Sequence, residues 1–207
     1  MSIPGASSAH VDAVVVLAGG AGRRLGGPKA WLDWCGRPLL LHVVERLAPL
    51  SGRPLVVVTA RGMDLPRGDY RRVEDVASGV GPLAGLAAGL GAVADVDAEI
   101  RVAVSACDCP FTEPRLFRFL ASADDSADVV LPVLGSHLHP LSAIWRAGAA
   151  EACRRALERG ERRVLAALEM LRPRLVGAAD FPAGLDPERV LFNLNDRADL
   201  LRARSWS

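Results

Sequence analysis

Residues 11–17, apolar except for Asp12, pass straight into glycines: Leu17-Ala18-Gly19-Gly20-Ala21-Gly22-Arg23-Arg24-Leu25-Gly26-Gly27-Pro28-Lys29. A short run without polar alternation predicts a strand buried on both faces, as found where helices cover both sides of a parallel sheet. Ligands of such sheets gather at the carboxyl ends of the strands, so the glycine loop marks where chemistry is expected. The pattern then repeats along the chain. Residues 54–59, 100–106, 128–133 and 138–145 predict further strands. After Pro38, suited to a first helical position, Leu39, Leu40, Val43, Val44 and Leu47 make one apolar helix face. Helices are also predicted over 82–93, 113–121, 147–159 and 162–171, the first with glycines that allow close approach to the sheet. Alternating strands and helices imply an α/β fold, a Rossmann-like three-layer sandwich with a mainly parallel sheet and helices on both faces.

A chain of 207 residues, half of them apolar, can bury one substantial core, so 11–207 reads as a single domain behind a flexible lead at 1–10. A net charge of +1 supplies no broad basic field for nucleic acid, and the expected partner is small. Cys35, Cys107, Cys109 and Cys153 lack zinc-ribbon or secreted-framework spacing, which points to reduced thiols in the cytoplasm. No apolar run reaches the roughly 18 residues of a membrane helix, and no membrane association is expected.

Lys29 is the only lysine among 25 basic residues. Lysine offers a compact, mobile point charge that the planar arginine fork does not reproduce. With Arg23 and Arg24 beside it and the amides of Gly19 and Gly20 open to close approach, the loop suits a polyphosphate. It is not a P-loop, because Lys29 follows Pro28 and precedes Ala30 instead of standing in Gly-Lys-Ser/Thr. A dinucleotide fingerprint matches poorly, since Gly26 falls one place late and no acid ends the second strand, which leaves a dehydrogenase as an outside reading only. Asp108, between Cys107 and Cys109 and just before Pro110, ends a predicted strand. A carboxylate there can reach a phosphate-bridging Mg²⁺ ion or can simply cap a turn.

Together these segments resemble the sugar-nucleotide-type nucleotidyltransferases, through Leu17 to Lys29 and the turn Asp108-Cys109-Pro110-Phe111. Asp75 upstream of Gly81-Pro82-Leu83-Ala84-Gly85, His139-Pro140-Leu141, Gly160-Glu161-Arg162-Arg163 and Asn193-Leu194-Asn195 narrow the resemblance to the molybdenum cofactor guanylyltransferase (MobA) branch. The resemblance implies nucleotide contacts from the backbone of Leu17, Ala18, Gly19 and Gly20, phosphate contact from Lys29, base contact from Asp75, and Mg²⁺ on Asp108. Arg24 would act with Lys29 and Asp108 in catalysis by neutralising the triphosphate. Glu161, Arg162, Arg163, Asn193 and Asn195 would face the acceptor.

The implied reaction is transfer of GMP from GTP to the terminal phosphate of molybdopterin or Mo-molybdopterin, releasing pyrophosphate. Proteins that donate or receive the cofactor are further implied partners. Guanine presents adjacent N–H donors that one carboxylate can accept together, which favours GTP at Asp75, although the same residue could bind ribose or cap the helix after Gly81. The rival readings are a cytidylyltransferase using CTP, a guanylyltransferase for another small phosphate, and a non-catalytic nucleotide-binding module. Three departures stand out: Pro28 where the family has Asp, which leaves Lys29 without a neighbouring anion; Asp196-Arg197 in place of Thr-Pro; and Thr59-Ala60-Arg61 without the family's asparagine. His137 and His139 read as surface or satisfied histidines, Cys107 and Cys109 as core fillers, and Trp31 and Trp34 as packing residues.

Overall fold

A computed structural model describes residues 10–206 apart from 21, 54, 76–80 and 95–96. Except for His10, the expected lead lies outside the described residues. In chain order the strands are β1 (Ala13–Leu17), β2 (Asp33–Trp34), β3 (Arg37–Pro38), β4 (Leu55–Ala60), β5 (Tyr70–Asp75), β6 (Arg101–Ala106), β7 (Val129–Leu134), β8 (His137–Leu138), β9 (Ser142–Arg146) and β10 (Pro173–Gly177). The α-helices are α1 (Leu39–Leu47), α2 (Pro82–Ala94), α3 (Pro114–Ala123), α4 (Ala150–Glu158), α5 (Leu165–Leu168), α6 (Pro187–Val190) and α7 (Arg197–Arg204).

The main sheet runs in the order β10-β7-β9-β6-β1-β4-β5, with β8 paired to β7, while β2 and β3 make a separate hairpin. β1 lies parallel to both β4 and β6, β4 is parallel to β5, and β7 is parallel to β10. β9 is inserted antiparallel between β6 and β7. Because side chains alternate along a strand, β1 feeds two cores: Val14 and Val16 pack with α1 and α3, whereas Ala13, Val15 and Leu17 pack with α2 and α4. The unbroken apolar run is thus the signature of a strand covered on both faces. Close helix packing is visible at Gly89, where a Cβ would stand 2.5 Å from Val15 Cγ1.

Several expectations shift. The predicted strand over 138–145 is two strands, β8 and β9, interrupted at His139-Pro140-Leu141. Pro140 has no amide to donate, and the turn is closed by Ser142 donating to the His139 carbonyl at 3.1 Å. The helix expected over 162–171 contracts to α5, and the first residues of the one expected over 147–159 form a 3₁₀ turn. β5 escaped prediction because Arg71, Arg72 and Glu74 give a charged, exposed pattern suited to a sheet edge. β10 is the opposite edge and is mostly exposed.

Candidate active site

β1, β4, β5 and β6 end side by side, and their carboxyl ends open into a cavity of about 370 Å³ lined by Leu17, Gly19, Gly20, Lys29, Asp75 and Asp108 among others. The chain from β1 is led back toward the cavity by a tight turn. Gly22 has φ +57°, and a Cβ there would fall 1.8 Å from the Gly27 carbonyl oxygen, so only glycine fits. The Lys29 amide then donates to the Gly20 carbonyl at 3.3 Å, and the lysine stem runs along Gly20. At its tip the Lys29 ammonium donates to Asp108 Oδ2 at 2.5 Å. The two side chains are only 15% and 16% exposed, so this ion pair is far less screened than a surface pair. The anion missing beside Lys29 in sequence is therefore supplied across the sheet by Asp108.

The turn carrying Asp108 is gripped from three sides. Cys107 donates its amide to the Leu17 carbonyl at 3.0 Å, joining it to the glycine loop. From α1, His42 Nε2 bonds the Pro110 carbonyl at 2.7 Å and Arg46 Nε donates to the Thr112 carbonyl at 2.7 Å. Arg37 Nη2 lies 3.1 Å from His42 Nδ1, an arrangement that suits a neutral ring with its proton on Nε2. Burial holds the His42 pKa below its ordinary value, and Arg37 and Arg46 add to the effect. On the third side, Leu194 donates its amide to the Asp108 carbonyl at 2.9 Å, and Cys109 donates its thiol to Asn193 Oδ1 at 2.8 Å. Burial pushes both the Cys107 and the Cys109 thiols up, so both remain protonated.

A second cavity of about 360 Å³ adjoins the first, sharing Pro82, Ala106, Asp108 and Leu141 with it. Its other walls include His139, Ser142, Arg163, Leu165 and Asn193. Asp108 thus stands at the junction of two compartments, with the lysine on one side and the asparagine on the other.

The model of the MobA-like NTP transferase domain matches residues 14–172. The chain belongs to this family. A probable molybdenum cofactor guanylyltransferase from Pelotomaculum thermopropionicum is 32% identical over 192 residues, spanning 92% of this chain and 90% of that protein. A molybdenum cofactor guanylyltransferase from Cereibacter sphaeroides is 35% identical over 201 residues, spanning 92% and 94% respectively. Among solved structures, molybdopterin-guanine dinucleotide biosynthesis protein A from Archaeoglobus fulgidus has a TM-score of 0.78 at 27% identity, covering 93% of this chain and 97% of its own. As a MobA-like NTP transferase, the chain is a nucleotidyltransferase.

Within this MobA-like site the residues singled out from sequence are placed unevenly. Leu17, Gly19, Gly20, Lys29, Asp75 and Asp108 line the first cavity together. Ala18 lies behind the wall, fully buried, and its amide already donates to the Val58 carbonyl at 2.7 Å. Arg24 is exposed on the 3₁₀ turn and does not line either cavity. Of the acceptor set, Arg163 and Asn193 line the second cavity, whereas Glu161, Arg162 and Asn195 do not. Asn195 is held locally, its backbone N–H donating to Asp199 Oδ2 at 2.8 Å and its side-chain Nδ2 to the Asn193 carbonyl at 3.3 Å. Asp196, a departure from the family pattern, is the N-cap of α7 and accepts from the Asp199 amide at 3.0 Å.

Other wall residues were not legible as functional. Thr59 is buried at the end of β4 with a hydroxyl that has no hydrogen-bond partner among the described residues, and it lines the first cavity. His139, expected to be a surface or satisfied histidine, has a buried Nε2 that likewise lacks a partner, and its pKa is lowered by burial and by His137. Cys109 is more than a filler, given its bond to Asn193. Trp34 packs as expected, but Trp31 is 45% exposed and donates Nε1 to the Asp64 carbonyl at 3.1 Å. Strand-end position was the only sequence signal for Thr59; for Cys109 none existed, because its partner is 84 residues away.

Proposed function

We propose that this chain transfers GMP from GTP to the terminal phosphate of molybdopterin, with or without molybdenum, in the cytoplasm. The observation that carries the reading is the pair of adjoining cavities that share Asp108. Its full-length relatives are named for this activity, and the nucleotide is assigned to the cavity with Lys29 and Asp75, the acceptor to the one with Arg163 and Asn193. An oxygen of the acceptor phosphate attacks the α-phosphorus of GTP; the new P–O bond forms as the α–β bridge breaks, and the electron pair leaves with pyrophosphate. The nucleophile is already an anion, so the site needs positioning and charge compensation rather than a base.

Asp108 fits a divalent cation. Among the described residues no group of three His, Cys, Asp or Glu could form a protein-only metal cage. A single hard carboxylate, already holding a cationic ammonium, matches Mg²⁺, which takes one or two protein carboxylates and completes its shell with phosphate oxygens and water. When bound, Mg²⁺ would supply Lewis-acid polarisation of the phosphate oxygens. Lys29, on its flexible stem, would hold the phosphates and offset charge developing on pyrophosphate. Asp75, at the end of β5, accepts the paired N–H donors of guanine. Protein partners of this reaction are those that deliver or receive the cofactor.

The test is pyrophosphate release with each of the four nucleotides and purified molybdopterin. Turnover with GTP and formation of the guanine dinucleotide are expected. A preference for CTP would shift the reading to a cytidylyltransferase, and tight GTP binding without release would mark a non-catalytic module.

A further inference from the structure

We infer that Cys109 is a positioning residue for the acceptor, its thiol fixing which end of the Asn193 amide faces the second cavity. The inference rests on the assignment of Asn193 to the acceptor under the proposed function. Cys109 is 1% exposed, and its Sγ lies 2.8 Å from Asn193 Oδ1, 3.9 Å from Ser142 Oγ and 3.9 Å from Asp108 Oδ1. The sulfur therefore sits at the meeting point of three elements: the turn after β6, the start of β9 and the C-terminal segment.

An asparagine side chain has two chemically opposite ends that occupy nearly the same shape. For an anionic phosphate only the Nδ2 end is useful, since Oδ1 would meet the phosphate oxygens with a lone pair. A thiol donates a hydrogen bond but accepts one poorly, so Cys109 selects the carbonyl end and leaves Nδ2 as the donor presented to the cavity that Asn193 lines. The backbone bond from Leu194 to the Asp108 carbonyl places the segment but does not orient the side chain. Without the thiol, Asn193 would sample both amide orientations and other rotamers, and ordering it would be charged against acceptor binding. The consequence is selective: the nucleotide cavity does not include Cys109 or Asn193, so GTP binding should not feel the change.

The experiment compares Cys109→Ala, Cys109→Ser, Asn193→Ala and the Cys109→Ala/Asn193→Ala double variant, measuring KM for molybdopterin at saturating GTP, KM for GTP and thermal midpoint. Losing one hydrogen bond of ordinary strength predicts that Cys109→Ala raises the acceptor KM about tenfold. The KM for GTP stays within about twofold, the scatter expected when no contact is lost. Cys109→Ser, which keeps a donor but also accepts, restores part of the acceptor affinity. The double variant is no worse than Asn193→Ala, because the two residues act through one contact. An acceptor KM raised by Asn193→Ala but not by Cys109→Ala overturns the inference and leaves the acceptor assignment standing. No effect of Asn193→Ala itself overturns the assignment and the inference with it. Equal damage by Ala and Ser, with weaker GTP binding and a lower thermal midpoint, makes Cys109 a packing residue and also overturns the inference.

Discussion

The two compartments of the cleft are built from different material. The nucleotide side is built on the ends of four neighbouring strands, β1, β4, β5 and β6, whose backbones are locked by the sheet, with the glycine loop and the start of α2 completing its walls. The acceptor side is walled by the interrupted loop at His139-Pro140-Leu141, the lead into α5 and the C-terminal Asn193. A strand end is positioned by ladder hydrogen bonds and needs little from its own side chain. A loop wall depends on particular isolated contacts, such as the Cys109 thiol to the Asn193 side chain and the Leu194 backbone amide to the Asp108 carbonyl. Substitutions on the nucleotide side should therefore act on chemistry, while those behind the acceptor side should act on affinity. Asp108, shared by both, should affect everything.

The comparison is tested most severely at that shared residue. Asp108→Asn removes the carboxylate from both compartments and should lower turnover roughly a thousandfold, as loss of a principal electrostatic group does. Steady-state pyrophosphate release in excess Mg²⁺ measures it, and near-wild-type turnover would remove Asp108 from the site. Lys29→Arg comes next. It keeps the charge but places a planar fork where a narrow stem runs beside Gly20, so kcat/KM for GTP should fall roughly 10- to 100-fold with acceptor KM nearly unchanged. Wild-type kinetics would mean that the lone lysine is interchangeable with the arginines used elsewhere.

The smallest effect concerns the helix that grips the Asp108 turn. His42 has a pKa lowered by burial from the ordinary 6.5, so the unfolded chain binds a proton more readily than the folded protein as pH falls below that value. Its contribution to stability is complete above about pH 6.5 and is lost as pH falls toward the folded pKa. Denaturant unfolding at about pH 7.5 and about pH 5.5 should show lower stability in acid, and His42→Gln should flatten part of that slope. An unchanged slope would mean that His42 protonates without disturbing its bond to Pro110.

Legibility in the sequence followed the same division. β1 was readable because both its faces are covered and every residue is apolar, and its glycine loop was readable because only glycine tolerates the Gly22 turn. Asp75 was found through resemblance, whereas the strand that carries it was missed. β5 lies at a sheet edge, where charged residues replace the apolar signal. The break between β8 and β9 was hidden because Leu138, Leu141 and Ile144 look like one apolar run until the Pro140 turn separates them. Arg24 shows the reverse case: a cation in the same loop was expected at the phosphates, and the 3₁₀ turn leaves it exposed and outside the cavity walls.

Local chemistry alone determined that the chain makes a parallel-type core strand running into an anion-suited loop, because the hydrophobic pattern and the steric demands of glycine act within a few residues. Only the tertiary structure decided what faces what. Lys29 and Asp108 are 79 residues apart, and their meeting depends on β1 and β6 lying side by side in register, from Ala13 opposite Val102 to Leu17 opposite Ala106. The ion pair is a product of that pairing, and the wall shared by two cavities and the contact of Cys109 with Asn193 are products of further long-range packing, which no stretch of sequence encodes by itself.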